Sequence, residues 1–434
     1  MPHWRWILTQ ITRLLWVRAT LIGLLGVAAA ILATVVDRFI PWKLPTHISV
    51  EAVESILTII ASSMLAVTTF SLSVMTAAFS AATSNVTPRA TRLLMEDRLT
   101  QNVLATFIGS FLFSMVGIVV LNTGAYGDRG RFILFAVTVA VIVLVVVALL
   151  RWIDHLIRLG RVGETTERVE QTARQAITDR LQEPYLGGMP LHDPERDIPH
   201  DAQPVLAGAT GYVQYIDMPA LGHCCKHHEC EIFVTALPGA FVYPDTPLAW
   251  IHPQPAATDA EAREAILHST LHAFTMGHER IFDQDPRFGL AVMCEIGSRA
   301  LSPATNDPGT AIDVISRMTR LMCLLADGCD IAAPEPEHPR VHVPSLQAQD
   351  LFEDAFMLIA RDGAHLIEIQ LRLQKTLRAL SRMGDAAFRQ AALQQAELAV
   401  QRAEIGLELE ADKIRVRNLI HAEDRPHTRN AHPG

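Results

Sequence analysis

Stepped at about 100° per residue, residues 51–87 place Glu51, Ser55, Thr58, Ser62, Thr69, Ser73, Thr76, Ser80, Thr83 and Thr87 along one face of a single helix. Only the Leu65/Ala66 level breaks the stripe. The opposite face carries Val53, Ile56, Leu57, Ile60, Met64, Val67, Val74, Met75 and Ala78, and no charge lies between Glu54 and Arg89. The pattern predicts a membrane helix with a hydroxyl-lined side. At 1.5 Å of rise per residue it is about 50 Å long, whereas about 20 residues cross a hydrocarbon core of about 30 Å. Part of it must project beyond the lipid.

Three more apolar runs give four predicted spans, at about 14–36, 51–83, 103–121 and 132–150, and so a transmembrane domain over 1–150. Gly109 and Gly117 in the third span are small residues that allow a neighbouring helix to come close. Arg5, Arg13 and Arg18, then Arg89, Arg92 and Arg98, then Arg151, Arg158 and Arg161 mark the richer basic side. By the positive-inside rule both termini are cytoplasmic.

Residues 151–204 read as an exit helix followed by a Pro- and Gly-rich linker with no element of its own. Three runs of Val, Ile and aromatic residues, at 211–217, 231–237 and 241–251, predict a small β module over 205–257. That module resembles the barrel-sandwich domains of lipoyl and biotinyl carriers, but no lysine sits at an exposed hairpin tip, so no cofactor is expected. Beyond it, 258–421 predicts a cytoplasmic helical bundle with helices at 260–282, 287–301, 308–326, 344–381 and 385–420, and 422–434 a disordered tail. The fold class is thus an α-helical membrane protein with an α+β cytoplasmic region.

Composition sharpens this picture. Residues 1–150 are net positive by 4 and residues 151–434 net negative by 13, for −9 overall, and no cluster of Lys and Arg suits nucleic acid. The six cysteines fit reduced cytoplasmic thiols. His223, Cys224, Cys225, His227, His228 and Cys230 form the densest soft-ligand cluster, but eight residues of one exposed loop lack the paired spacing of zinc motifs, so no metal is assigned. No phosphate loop, His-Glu-x-x-His or Gly-x-Ser-x-Gly is present, and His268, His272 and His278 fit no catalytic template. The chain does not read as an enzyme.

Three places carry candidate function. Ser62, Thr69, Ser73, Thr76, Ser80 and Thr83 would line a pore if copies gathered around an axis; otherwise such hydroxyls serve helix packing or bond to their own backbone. Thr87, Pro88, Arg89 and Arg92 form a membrane-edge bend, because Pro88 disfavours the α region at Thr87. In Ala300–Ala311, Ser302-Pro303 stops one helix while Asp307 and Pro308 start the next. That helix start, with Glu295, Arg299, Ser302, Asn306, Asp307 and Thr310, is a candidate site for a small anionic ligand.

The runs Thr68–Phe111 and Asp285–Met318, with Thr87-Pro88-Arg89 and the segment ALSPATNDPGTA, resemble the bacterial predicted membrane proteins of domain of unknown function 2254. The resemblance supports the architecture and implies no activity. The expectation is a lipid-embedded homo-oligomer, a channel or channel-like protein with a cytoplasmic sensing domain. The alternative is a membrane-anchored scaffold or sensor without a pore.

Overall fold

The computed structural model describes residues 49–421 apart from 96, 124–127, 159–160, 254–259 and 329–334, with scattered residues between 17 and 31. The first predicted span, 14–36, lies largely outside the described residues, and the tail 422–434 lies wholly outside them. By contact the chain forms two units: residues 4–84 with 91–165, and residues 85–90 with the chain from Thr166 onward.

In the first unit, α1 (Val50–Asn85), α3 (Arg98–Asn122) and α4 (Asp128–Arg158) are long, and a short helix α2 (Pro88–Met95) follows the Thr87-Pro88 bend. Among the described residues three helices are long and apolar enough to cross a membrane: Val50–Ala81, Leu99–Asn122 and Gly130–Ile157. The buried stripe of α1, with Val53 and Leu57 then Ile60 and Met64, packs against Phe113 and Leu134 at one level and Phe107 and Trp152 at another. The two glycines act as expected. A Cβ on Gly109 would lie 2.8 Å from Ile22, and one on Gly117 3.2 Å from Leu57. At its start α3 is capped by Asp97, which accepts from Thr100 N at 2.9 Å.

The second unit opens with α5 (Val162–Gln182), so the expected single exit helix is two helices, α4 ending at Arg158. The stretch expected to be a bare linker carries β1 (Gly188–Leu191), α6 (Pro194–Asp197) and β2 (Gln203–Leu206). Then come β3 (Gly211–Ile216), α7 (Met218–His228), β4 (Cys230–Val234), β5 (Phe241–Val242) and β6 (Pro247–Pro253). A helix α8 (Ala260–His272) and strand β7 (Phe274–Gly277) replace the one helix expected over 260–282. The change comes at Phe274, where the chain pairs antiparallel with β3.

After α9 (Pro286–Ala300), α10 (Pro308–Gly328) and β8 (His338–Pro344), the expected helix 344–381 is two, α11 (Ala348–Asp362) and α12 (Ile367–Leu380). The last is two as well, α13 (Ala386–Gly406) and α14 (Glu410–His421). Backbone groups freed at the first break find partners: the buried Gln370 amide donates to the Gly363 carbonyl at 2.9 Å.

The strands form a mixed five-stranded sheet, order β1-β8-β4-β6-β2, and an antiparallel sheet, order β5-β3-β7. In the larger sheet β8 runs parallel to both β1 and β4. Its strands come from segments as far apart as 188 and 344, so this topology does not reproduce the barrel-sandwich expected from residues 205–257 alone. Ile216 from the smaller sheet and Ile232, Val234, Leu248, Val341 and Val343 from the larger are buried in one core. On the helical side α9 packs on α10 and α11, and α13 on α11 and α12.

Candidate functional site

The hydroxyl stripe keeps its alignment. Glu51, Ser55, Thr58, Ser62, Thr69, Ser73, Thr76, Ser80 and Thr83 are all exposed along α1, on the side its own neighbours leave uncovered. Most of these hydroxyls donate to the carbonyl one turn back: Ser62 to Thr58 at 2.9 Å, Thr69 to Leu65 at 2.9 Å, Ser73 to Thr69 at 3.1 Å, Thr76 to Leu72 at 2.9 Å and Thr83 to Phe79 at 2.8 Å. A hydroxyl whose proton is committed inward turns its lone pairs outward. Ile59, Leu65, Phe70 and Leu72 are exposed beside the stripe.

At the end of α1 the sequence candidates meet. Thr87 and Ala90 are buried, and Ala90 N bonds the Thr87 carbonyl at 3.1 Å as Pro88 begins α2. The Thr87 hydroxyl donates to Glu295 Oε2 at 3.1 Å, and Arg89 Nη1 donates to Glu295 Oε1. Glu295 is a half-buried residue of α9. Two motifs read separately in the sequence, the Thr-Pro-Arg bend and the acidic residue before Arg299, therefore share one ion pair. Arg92 lies one turn further along α2.

The Ala300–Ala311 turn is held from within. Asn306 takes the left-handed conformation, φ 46°. The Asp307 N–H bonds the Ala300 carbonyl at 2.8 Å, and Ser302 Oγ donates to Thr305 at 3.2 Å. Asp307 accepts from the Thr310 hydroxyl at 2.6 Å and from Thr310 N at 3.0 Å. These hydrogen bonds hold the Asp307 carboxyl below its ordinary pKa. The helix start is thus already served by a carboxylate of the chain itself. Arg299 is exposed on the last turn of α9.

The Cys/His cluster corrects the sequence reading. It is the helix α7, not an exposed loop, capped by Asp217 through Ala220 N at 3.1 Å and ended by Glu229 at φ 52°. Leu221, Cys224 and Cys225 face the core with Cys230, while His223 and His227 are exposed. The signal was there: Asp217 before Pro219, then apolar positions at helical spacing. A hydrogen bond with Cys224 pulls the Cys230 pKa down, yet the Cys225 thiol and burial push it up to about 12. The Cys224 thiol is raised by its bond to Cys230 and by burial. Cys224 and Cys230 are therefore protonated at neutral pH. Among the described residues no group of three or more His, Cys, Asp and Glu is placed to hold a metal ion.

Other polar clusters gave no sequence signal. In the membrane unit buried His155 Nε2 lies 3.0 Å from Asp97 and 3.1 Å from the Thr100 hydroxyl, and Trp152 Nε1 donates to Ser71 at 2.9 Å. In the second unit buried Glu170 accepts from Arg320 at 2.8 Å and Arg317 at 2.9 Å, with Arg174 at 3.7 Å. Burial opposes the charge on Glu170, but hydrogen bonds and charge from Arg320 and Arg317 outweigh it and lower its pKa. Arg317 and Arg320 lie about 150 residues from Glu170, beyond any periodicity.

Long apolar helices, with a hydroxyl face on one of them, define an integral membrane protein carrying a separate α/β unit. The chain belongs to the family of predicted membrane proteins DUF2254, whose pattern matches residues 12–379. It is 29% identical over 260 residues to uncharacterised proteins of Mycobacterium bovis and Mycobacterium tuberculosis, a match covering 59% of this chain and 49% of each relative. The chain thus spans about half the length of the curated relatives it matches. No solved structure matches.

Proposed function

We propose that the protein is an oligomeric, channel-like protein of the bacterial inner membrane whose second unit senses a ligand and sets gating. The observation that carries this reading is the exposed row of hydroxyls from Ser62 to Thr83 on α1, interrupted only at the Leu65/Ala66 level. In a single copy this row would face lipid with its lone pairs unused. Gathered around an axis, the same oxygens would line a water-filled path and favour a cation or a neutral polar solute over an anion. Glu51, at the first turn of α1, adds negative charge at one mouth. No acidic residue lies at mid-depth of α1, which favours passive conduction over proton coupling. On this reading there are four spans, the first at 14–36, with both termini cytoplasmic. The Thr87-Pro88-Arg89 bend, held by Glu295, is the gating element.

A scaffold without a pore is the second reading, and the inward hydroxyl bonds favour it, because a back-bonded hydroxyl tolerates lipid. Neither reading makes the protein an enzyme. Purified protein reconstituted in planar bilayers separates them. Conductance that is blocked when Thr69→Cys or Thr76→Cys is treated with a water-borne thiol reagent supports the pore. Absence of conductance, with both cysteines inaccessible to the reagent, overturns it.

A further inference from the structure

α10 and α12 run side by side in the same direction, since Arg372 Nη2 donates to Ser316 Oγ at 2.7 Å and the Thr319 and Thr376 hydroxyls meet at 3.3 Å. With α5 they flank a groove of about 610 Å³, within the range of about 300–1,000 Å³ usual for small-ligand sites. Its two ends differ in charge. Arg320, Arg372 and Lys375 gather at the level of Ser316 and Thr319, joined by Arg174 from α5. Asp327 lies seven residues beyond Arg320 on α10, about 10 Å further along at the helical rise.

The basic end is under-neutralised. Arg317 is also held by Asp313, which leaves Glu170 as the one carboxylate shared by Arg320 and Arg174. Among the described residues no carboxylate pairs with Arg372 or Lys375, both of them exposed to solvent in the groove. Nearby hydroxyls of Thr319 and Thr376 add neutral hydrogen-bonding groups. Guanidinium and ammonium groups converging with hydroxyls suit the oxygens of a phosphate group. A carboxylate at the far end suits hydroxyl or amino donors and repels a second phosphate.

We propose that this groove binds a soluble phosphate-bearing molecule of nucleotide size, its phosphates at Arg320, Arg372 and Lys375 and its hydroxyl-bearing end at Asp327. The site is separate from the Ala300–Ala311 turn, and it does not depend on whether the membrane helices conduct. A lipid headgroup carries the same phosphate chemistry, so the test must tell the two apart.

Calorimetric titration of the 434-residue chain in detergent, at 150 mM salt, with ADP, with pyrophosphate and with dihexanoyl phosphatidic acid decides the matter. ADP and pyrophosphate should both bind. The double variant Arg372→Gln/Lys375→Gln should weaken both at least tenfold, whereas Arg196→Gln, a surface arginine paired with Asp193 elsewhere, should change neither. Asp327→Asn should weaken ADP several-fold and leave pyrophosphate unaltered. Ala379→Trp, which fills the groove, serves as an independent second variant and should abolish binding of both. Failure of both ligands to bind the parent, or parental affinity retained in both the double variant and Ala379→Trp, overturns the site. Tighter binding of the phosphatidic acid than of ADP overturns the assignment to a soluble ligand. An Asp327→Asn variant that binds ADP as the parent does overturns the orientation.

Discussion

At the scale of single residues, Glu170 is the most consequential charge in the second unit. Its carboxylate is buried, and its attraction to Arg317 and Arg320 more than offsets the cost of burial. Removing one partner of such a buried group leaves uncompensated charge and costs about 3 kcal/mol. Asp313 still holds Arg317 at 2.7 Å and Arg320 is half exposed, which brings the expected cost of Glu170→Gln down to about 1–2 kcal/mol. The pH dependence has a definite sign. With its folded pKa below the ordinary 4.5, Glu170 binds a proton less readily in the folded state than in the unfolded chain. Its stabilisation is therefore complete above about pH 4.5 and is lost as pH falls through the lower, folded value. Thermal unfolding of the full chain between pH 7 and pH 3 checks both points. Glu170→Gln should lower stability at pH 7, and its midpoint should fall less steeply on acidification than that of the parent. Equal slopes would show that the carboxylate contributes nothing to the acid limb.

At the scale of elements, hydroxyls on α1 fall into two kinds that look alike in sequence. Thr69 and Thr76 donate to their own backbone on the exposed side, whereas Ser71 is fully buried and accepts from the Trp152 indole. Replacing an exposed back-bonding threonine by valine removes a bond that the helix does not need, so Thr69→Val and Thr76→Val should change stability by no more than about 0.5 kcal/mol. Ser71→Ala leaves a buried N–H without its acceptor and should cost about 1–3 kcal/mol. Resistance to denaturation by SDS ranks the three variants, and a Ser71→Ala protein as robust as the valine variants would discount the indole bond. Helical period made the stripe and the apolar face of α1 legible, because both are local. It could not show that Ser71 has a partner 81 residues away. Period also misled where two helices in succession keep one phase: α11 and α12 read as one helix, since Leu351, Ala355, Leu373 and Leu380 continue a single stripe across the Gly363 break. In α7 the soft-ligand residues drew attention to composition, when the apolar spacing of Leu221, Cys224 and Cys225 already described a helix.

At the scale of the whole molecule, what stayed hidden was assembly across long separations. β8 is inserted between β1 and β4 although some 150 residues separate it from β1, and neither the Pro-rich run before it nor Pro339 and Pro344 within it mark it as a central strand. Likewise the Thr87-Pro88-Arg89 bend was legible as a break, but its acceptor Glu295 lies more than 200 residues further on. Residues 85–90 nevertheless count by contact with the unit that begins at Thr166, with Val86, Thr87 and Ala90 buried. That assignment can be tested by cutting the chain. A fragment of residues 161–421 retains both sheets and all the helices from α5 to α14, and it should unfold cooperatively with its own midpoint. In that fragment Glu295 lacks Thr87 and Arg89, so Glu295→Gln should leave the midpoint unchanged. In the full chain the same substitution weakens an exposed ion pair and a hydroxyl bond, together worth about 1 kcal/mol, and should lower the midpoint by a few degrees. The difference between the two measurements isolates what the bend contributes through Glu295. If the substitution shifts fragment and full chain alike, the contact with Thr87 and Arg89 contributes nothing, and the bend cannot serve as the gating element through this carboxylate.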